Sequence, residues 1–138
     1  MAATFQLDVV TPERLVISGK ASYVSAPGKD GRFGVLPGHT PFVSLLTAGE
    51  LTITMQGEGA EQHVALSSGY VEVTNERVTV LVQRALEKSQ INREEAVREE
   101  KEATAKLAGI PQGGLEAVTW SKRCDFAKIC LQIAQLPN

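Results

Sequence analysis

The sequence is poor in the residues on which most site chemistry is built. Its 138 residues include only two cysteines and two histidines. Cys124 and Cys130 lie six apart, which on a helix leaves them about 120° out of register. That is too far round for easy bridging, and both read as free thiols of a reducing compartment. They form no C-x-x-C pair, and His39 and His63 have no ligand-spaced partners, so no zinc site is expected. Gly19-Lys20 and Gly28-Lys29 are followed by Ala and Asp rather than Ser or Thr, which excludes a Walker-type phosphate loop. Ser67-Ser68-Gly69 lacks the first half of a nucleophile elbow. No catalytic constellation is present, so an enzyme reading would have to rest on residues scattered through the fold, and no resident cofactor is indicated. No apolar run is long enough to span a bilayer, and Met1 to Asp8 has neither the basic start nor the apolar stretch of a secretory leader. Charge of one sign is also missing: 14 basic residues stand against 16 acidic ones. A generally basic nucleic-acid binder is thereby disfavoured. Aromatics are 5% of the chain, so any core must rest on Val, Leu, Ile and Ala.

What is present suffices for a folded domain. Hydrophobic residues are 43% and charged ones 22%, and a chain of this length buries roughly two-thirds of its unfolded surface. The character changes near residue 87. Residues 1–87 hold 6 basic and 9 acidic side chains, four of the six prolines and most of the glycines. Residues 88–138 hold 8 basic and 7 acidic side chains. Two units are predicted: a β-rich one over 1–87 and a helical one over 88–138.

The first unit alternates with period 2, as strands do. Phe5, Leu7 and Val9 alternate with Gln6 and Asp8 up to the break at Thr11-Pro12, and Leu15 to Ile17 resume the pattern to Gly19. Tyr23 to Ala26, Arg32 to Leu36, Pro41 to Leu46, Leu51 to Met55, Val64 to Leu66, Tyr70 to Val73 and Val78 to Val82 follow. Gly57-Glu58-Gly59 and Thr74 to Arg77 read as turns between them. Some nine or ten short strands argue for an antiparallel β-sandwich or flattened barrel.

The second unit reads as an antiparallel two-helix hairpin, making the fold class α+β. Ser89 and Asn92 are candidate N-caps, Asn92 forming a capping-box-like pair with Glu95. Eight of the ten residues from Arg93 to Glu102 are charged, and the apolar face is thin: Ala96, Ala103 and Leu107. Such a helix should be loosely held, because helices gain most of their stability from packing. Gly109 to Gly114 end it. In the second helix Leu115, Val118, Phe126, Ile129, Ile133 and Leu136 fall on one stripe, interrupted by Lys122 and stopped by Pro137.

One stretch stands apart, Gly31-Arg32-Phe33-Gly34-Val35-Leu36-Pro37-Gly38-His39-Thr40-Pro41. Pro37-Gly38 is a strong turn pair, with Pro presetting φ and Gly supplying φ > 0. Thr40, before Pro41, is pushed to extended backbone. The residues alone leave a structural turn and a binding contact both open. This stretch resembles the signature of the epsilon subunit of F-type ATP synthases, called delta in mitochondria. The similarity continues through Leu7 to Pro12, Leu45 to Leu51, Ser68 to Val73 and Asn75 to Leu81, covering residues 4 to 107.

The resemblance implies a non-catalytic stalk subunit. Its sandwich would be bound to the gamma subunit and seated on the ring of membrane c subunits. Its hairpin would either fold on the sandwich or extend into the catalytic head of alpha and beta subunits and inhibit hydrolysis. It would work at the cytoplasmic face of the bacterial plasma membrane, held there only through the complex. Lys29, Asp30, Gly31, Arg32, Phe33 and His39 match the part that meets the ring and gamma. Arg93, Arg98, Lys122, Arg123 and Lys128 are the basic residues of an inhibitory tail. Some relatives bind ATP through an Ile/Leu-Asp-x-x-Arg-Ala motif; here Asn92 replaces the Asp and Glu95 the Arg, so no ATP site is expected. The alternative is a β-sandwich protein-binding module with a helical tail, unrelated to the synthase.

Overall fold

The computed structural model describes residues 3–57, 59 and 61–137. The turn read at Gly57-Glu58-Gly59 includes Glu58, and the leader reading includes Met1 and Ala2; these residues lie outside the described ones. Among the described residues the chain forms nine strands, a single 3-10 turn and two helices.

β1 (Phe5–Val10) buries Phe5, Leu7 and Val9 and leaves Gln6, Asp8 and Val10 half-buried, as its alternation requires. Thr11 turns the chain, its N–H donating to Arg14 O at 2.9 Å. The next element corrects the sequence reading. Leu15 to Gly19 and Tyr23 to Ala26 are not two strands but one, β2 (Leu15–Gly28). Ala21 is fully buried and opposes both Phe5 and Met55, and the register shift between Ala21 and Tyr23 lets the strand bend without ending. Its first half pairs with β1 and its second half with β3 (Gly31–Val35) and β5 (Gly49–Met55).

β4 (Phe42–Leu46), β6 (Glu61–Leu66), β7 (Gly69–Val73) and β8 (Arg77–Val82) lie where the alternation placed them. β9 (Ala85–Glu87) was not foreseen; it is three residues long, too short for a periodic signal, and pairs with β6. The strand order is β1-β8-β7-β4-β2-β5-β6-β9, with β3 on β2, and the β1–β2 pairing folds the sheet back on itself. All pairs are antiparallel except β1 with β8, which is parallel. The resulting β-sandwich encloses a core of Val, Leu, Ile and Ala with Phe5 as its one buried aromatic.

Asn92 caps α1 (Arg93–Ala108), its side chain accepting from the Glu95 N–H at 3.1 Å. The other candidate, Ser89, lies inside the 3-10 turn Lys88–Gln90. α1 buries only Ala96 and Ala103. α2 (Leu115–Ala134) runs antiparallel to it, Glu99 facing Arg123 and Lys106 facing Trp120.

The apolar stripe read on α2 is only partly the buried one. Leu115 is 87% exposed and Val118 48%, and the buried face is Cys124, Phe126, Ala127, Cys130 and Ile133. Packing decides this. The cluster shared with the sandwich takes in α2 residues from Phe126 onward, so the first turns of α2 project past the sheet. Both cysteines are free thiols, each buried on that face.

Candidate functional site

Lys29 and Asp30 are the exposed two-residue tip between β2 and β3, and Gly31 follows with φ +133°, a conformation open to glycine. After β3 the chain turns at Pro37-Gly38. His39 N–H donates to Leu36 O at 3.2 Å and Gly38 has φ +79°, the geometry of a type II turn with Pro and Gly in its central positions. The turn seats the His39 ring 5.1 Å from Phe42, with Nδ1 donating to Thr40 O at 2.8 Å. Phe42 meets Phe33 edge to face at 5.4 Å. Asp30, Arg32, Phe33, His39, Phe42 and Val43 thus line one open cleft of 470 Å³.

The structure therefore brings Lys29, Asp30, Gly31, Arg32, Phe33 and His39 to one edge of the sandwich. Arg32 differs from the others in where its charge goes. Its Nε donates to Ser25 Oγ at 2.9 Å, and its Nη2 contacts Ser25 O, Glu50 O and Thr52 Oγ1 at 3.2, 2.6 and 3.3 Å. The guanidinium ties the edge strand β3 across β2 to β5, leaving Lys29 and Asp30 as the outward charges of the tip.

Beside this edge is an apolar surface that the sequence did not flag. Leu36, Val43, Leu45 and Tyr70 are 60%, 67%, 57% and 45% exposed. Register places Leu45, Tyr70, Leu81 and Val10 in one row across β4, β7, β8 and β1. The signal was present as apolar residues at the outward positions of alternating strands. Which side faced out could not be read without the pairing. Contiguous exposed apolar surface marks a protein contact.

The basic residues of the helices are not gathered. Arg93, Arg98, Lys122 and Lys128 are exposed at separate places on the two helices. Arg123 is half-buried, its guanidinium 4.5 Å from the centre of the Trp120 ring and its Nε 3.6 Å from Glu99 Oε1. Glu99 also accepts from both terminal nitrogens of Arg84, at 2.5 and 3.2 Å. Burial pushes the Glu99 pKa up, but Arg84 and Arg123 outweigh it and hold the carboxyl below its ordinary value. Sequence reasoning missed Arg84 and Glu99. Nothing in a helix rich in Glu distinguishes the one that meets an arginine fifteen residues upstream.

Asn92 and Glu95 border a cavity of 120 Å³ with Arg84, Ile91, Phe126 and Cys130. Ligand pockets typically run from roughly 300 Å³ upward. Burial raises the Cys130 thiol to about 11, so it is inert in this state. Among the described residues no three His, Cys, Asp or Glu side chains gather as a metal site, and no helix is long and apolar enough to cross a membrane.

A family model described as ATP synthase, delta/epsilon chain, beta-sandwich domain matches residues 4–88. The chain belongs to the delta/epsilon chain family of ATP synthase. The match ends at residue 88, where the last strand gives way to the 3-10 turn. The ATP synthase epsilon chain of Magnetococcus marinus is 38% identical over 128 residues, spanning 92% of this chain and 91% of that one. The ATP synthase epsilon chain of Citrifermentans bemidjiense is 36% identical over 134 residues, spanning 97% and 96%. Family likeness thus extends through the helices as well as the sandwich. Among solved structures, a chain of the Euglena gracilis mitochondrial ATP synthase (OSCP/F1/c-ring in rotational state 1) superimposes with TM-score 0.72. It covers 92% of this chain and 79% of its own at 21% identity, a likeness of fold.

Proposed function

We propose that this chain is a non-catalytic central-stalk subunit of an F-type ATP synthase, coupling the gamma subunit to the membrane c-ring and restraining ATP hydrolysis through its helices. The observation that carries this reading is similarity to epsilon chains over more than nine-tenths of both partners, helices included. The sandwich supplies surfaces suited to the role. The row Leu45, Tyr70, Leu81 and Val10, exposed at Leu45 and Tyr70 and half-buried at Leu81 and Val10, fits an apolar face of gamma. The tip Lys29-Asp30, backed by Gly31, Arg32 and Phe33, fits the polar loops of the ring, and His39 fits the boundary between the two.

In this reading residues 1–87 form the coupling unit and residues 88–138 the regulatory one. Arg93, Arg98, Lys122, Arg123 and Lys128 would face acidic surface of the catalytic head when the helices extend. The subunit would then sit at the cytoplasmic face of the bacterial plasma membrane, attached only through its partners. Affinity purification of the tagged chain from its host tests the assignment. Gamma and c subunits should come down with it. Their absence from a purification that recovers soluble, folded chain would end the reading.

A further inference from the structure

The junction between the helices and the sandwich is made by few apolar side chains. Ala65 is the buried sheet residue in it, with Leu86 and Ile91 half-buried beside it. Against these lie Ala96 from α1 and Phe126, Cys130 and Ile133 from α2. A junction led on the sandwich side by alanine has little apolar area to bury, so directional contacts at its rim carry weight.

One sandwich residue grips both helices. Arg84 lies in the link between β8 and β9, where its N–H donates to Ser67 Oγ at 2.8 Å and its carbonyl accepts from the Ser67 N–H at 3.0 Å. With its backbone fixed, its guanidinium donates twice to Glu99 of α1, at 2.5 and 3.2 Å. The same guanidinium lies 4.2 Å from the ring centre of Phe126 of α2. Paired donation to a carboxylate combined with stacking on a ring is specific to arginine. Arg123 of α2 also reaches Glu99, 3.6 Å from its Oε1, and further contacts between the helices lie away from Arg84. Ala103 is fully buried, and Cys124 Sγ lies 3.8 Å from Thr104 Oγ1.

We propose that Arg84 is the latch that holds the two-helix unit on the sandwich, and that both helices come away together when it is broken. This concerns the isolated chain and deepens the reading of the helices as regulatory without depending on it. The chain carries its own reporters. Cys130 is covered by the junction, whereas Cys124 is covered by α1. Thiol labelling requires exposure, so each cysteine reports the opening of a different contact.

The experiment is maleimide labelling of the full-length chain at neutral pH, with the rate at each cysteine resolved by peptide mass spectrometry. Arg84→Met should accelerate Cys130 labelling at least tenfold and leave Cys124 within twofold. The Arg84 charge lowers the Cys130 pKa, so its loss alone would slow labelling; acceleration therefore reports opening. Glu99→Asp, which keeps the charge near Cys130 and the arginine stack but draws the carboxylate back from Arg84, should give a smaller rise at Cys130. Glu99→Gln is unsuitable, because the Glu99 charge raises the Cys130 pKa and its loss alone would speed labelling. An unchanged Cys130 rate in both variants overturns the latch. So does equal acceleration of the two cysteines, which means that the helices separate or the chain unfolds as a whole.

Discussion

Gly38 carries a backbone requirement and little else. Its φ is +79°, and a Cβ built there would have nothing within 4 Å. A substitution is therefore opposed by conformation alone. Gly38→Ala should destabilise the chain by about 1 kcal/mol and Gly38→Val by more, since left-handed backbone costs roughly 1–2 kcal/mol for an L residue and most for a β-branched one. Urea melts read this directly; a neutral Gly38→Val would contradict it. Arg32 makes a complementary case. Its planar fork reaches Ser25, Glu50 and Thr52 together, which a lysine ammonium cannot. Arg32→Lys and Arg32→Ala should lose similar stability, about 1–2 kcal/mol for exposed charge-assisted bonds. Full retention by the lysine variant would mean that charge matters and geometry does not.

Asp8 carries the pH dependence at this scale. Burial raises its pKa, but Ser18 at 2.7 Å, Gln6 at 3.1 Å and the Arg77 ion pair outweigh it and hold the carboxyl below its ordinary 3.8. A carboxyl with a lowered folded pKa stabilises the fold above its unfolded value, and that contribution disappears as pH falls through the folded one. Melts between pH 6 and pH 2 should therefore show the native chain losing its advantage over Asp8→Asn below about pH 4. Parallel curves across that range would contradict the assignment.

The helices show where an element is written into local sequence and where it is not. The start of α1 was legible because capping is local: Asn92 and Glu95 lie three residues apart and bond as spacing predicts. Asn92→Ala should cost about 1 kcal/mol, read as loss of helical signal before the sandwich melts. The buried face of α2 was legible only from Phe126 onward. Leu115 and Val118 lie at proper helical spacing, but burial also needs a neighbour, and the sandwich does not extend over them. The strands behaved likewise. Alternation located β1 and β4 to β8. It split β2 at Lys20 to Ser22, where a bend carries one strand between pairing partners, and passed over the three residues of β9. At the ligand level, Glu95 and Glu99 stand beside a cavity of 120 Å³, and Arg84, which also lines it, is already engaged by Glu99. Calorimetry on the isolated chain should show ATP binding no tighter than roughly millimolar, about 4 kcal/mol; micromolar binding would contradict this.

At the scale of the whole molecule, the sandwich core and the junction cluster are made of different residues. The core draws on β1 to β9 and contains no helix residue. The change of composition near residue 87 falls where β9 ends and the 3-10 turn begins, and the Gly31 to Pro41 segment was legible because its turn geometry is local. The apolar row Leu45, Tyr70, Leu81 and Val10 was hidden, because it exists only once four strands are in register. The Arg84 latch was hidden for the same reason, being a contact between units. Both follow from pairing, which a single sequence encodes without displaying.

The central claim is a division of labour: residues 1–87 couple, residues 88–138 restrain. It is tested most directly by ATP hydrolysis of the assembled complex carrying either the full chain or residues 1–87. The shortened chain should still bind gamma and should raise hydrolysis. Unchanged hydrolysis, or loss of gamma binding by residues 1–87, would contradict it.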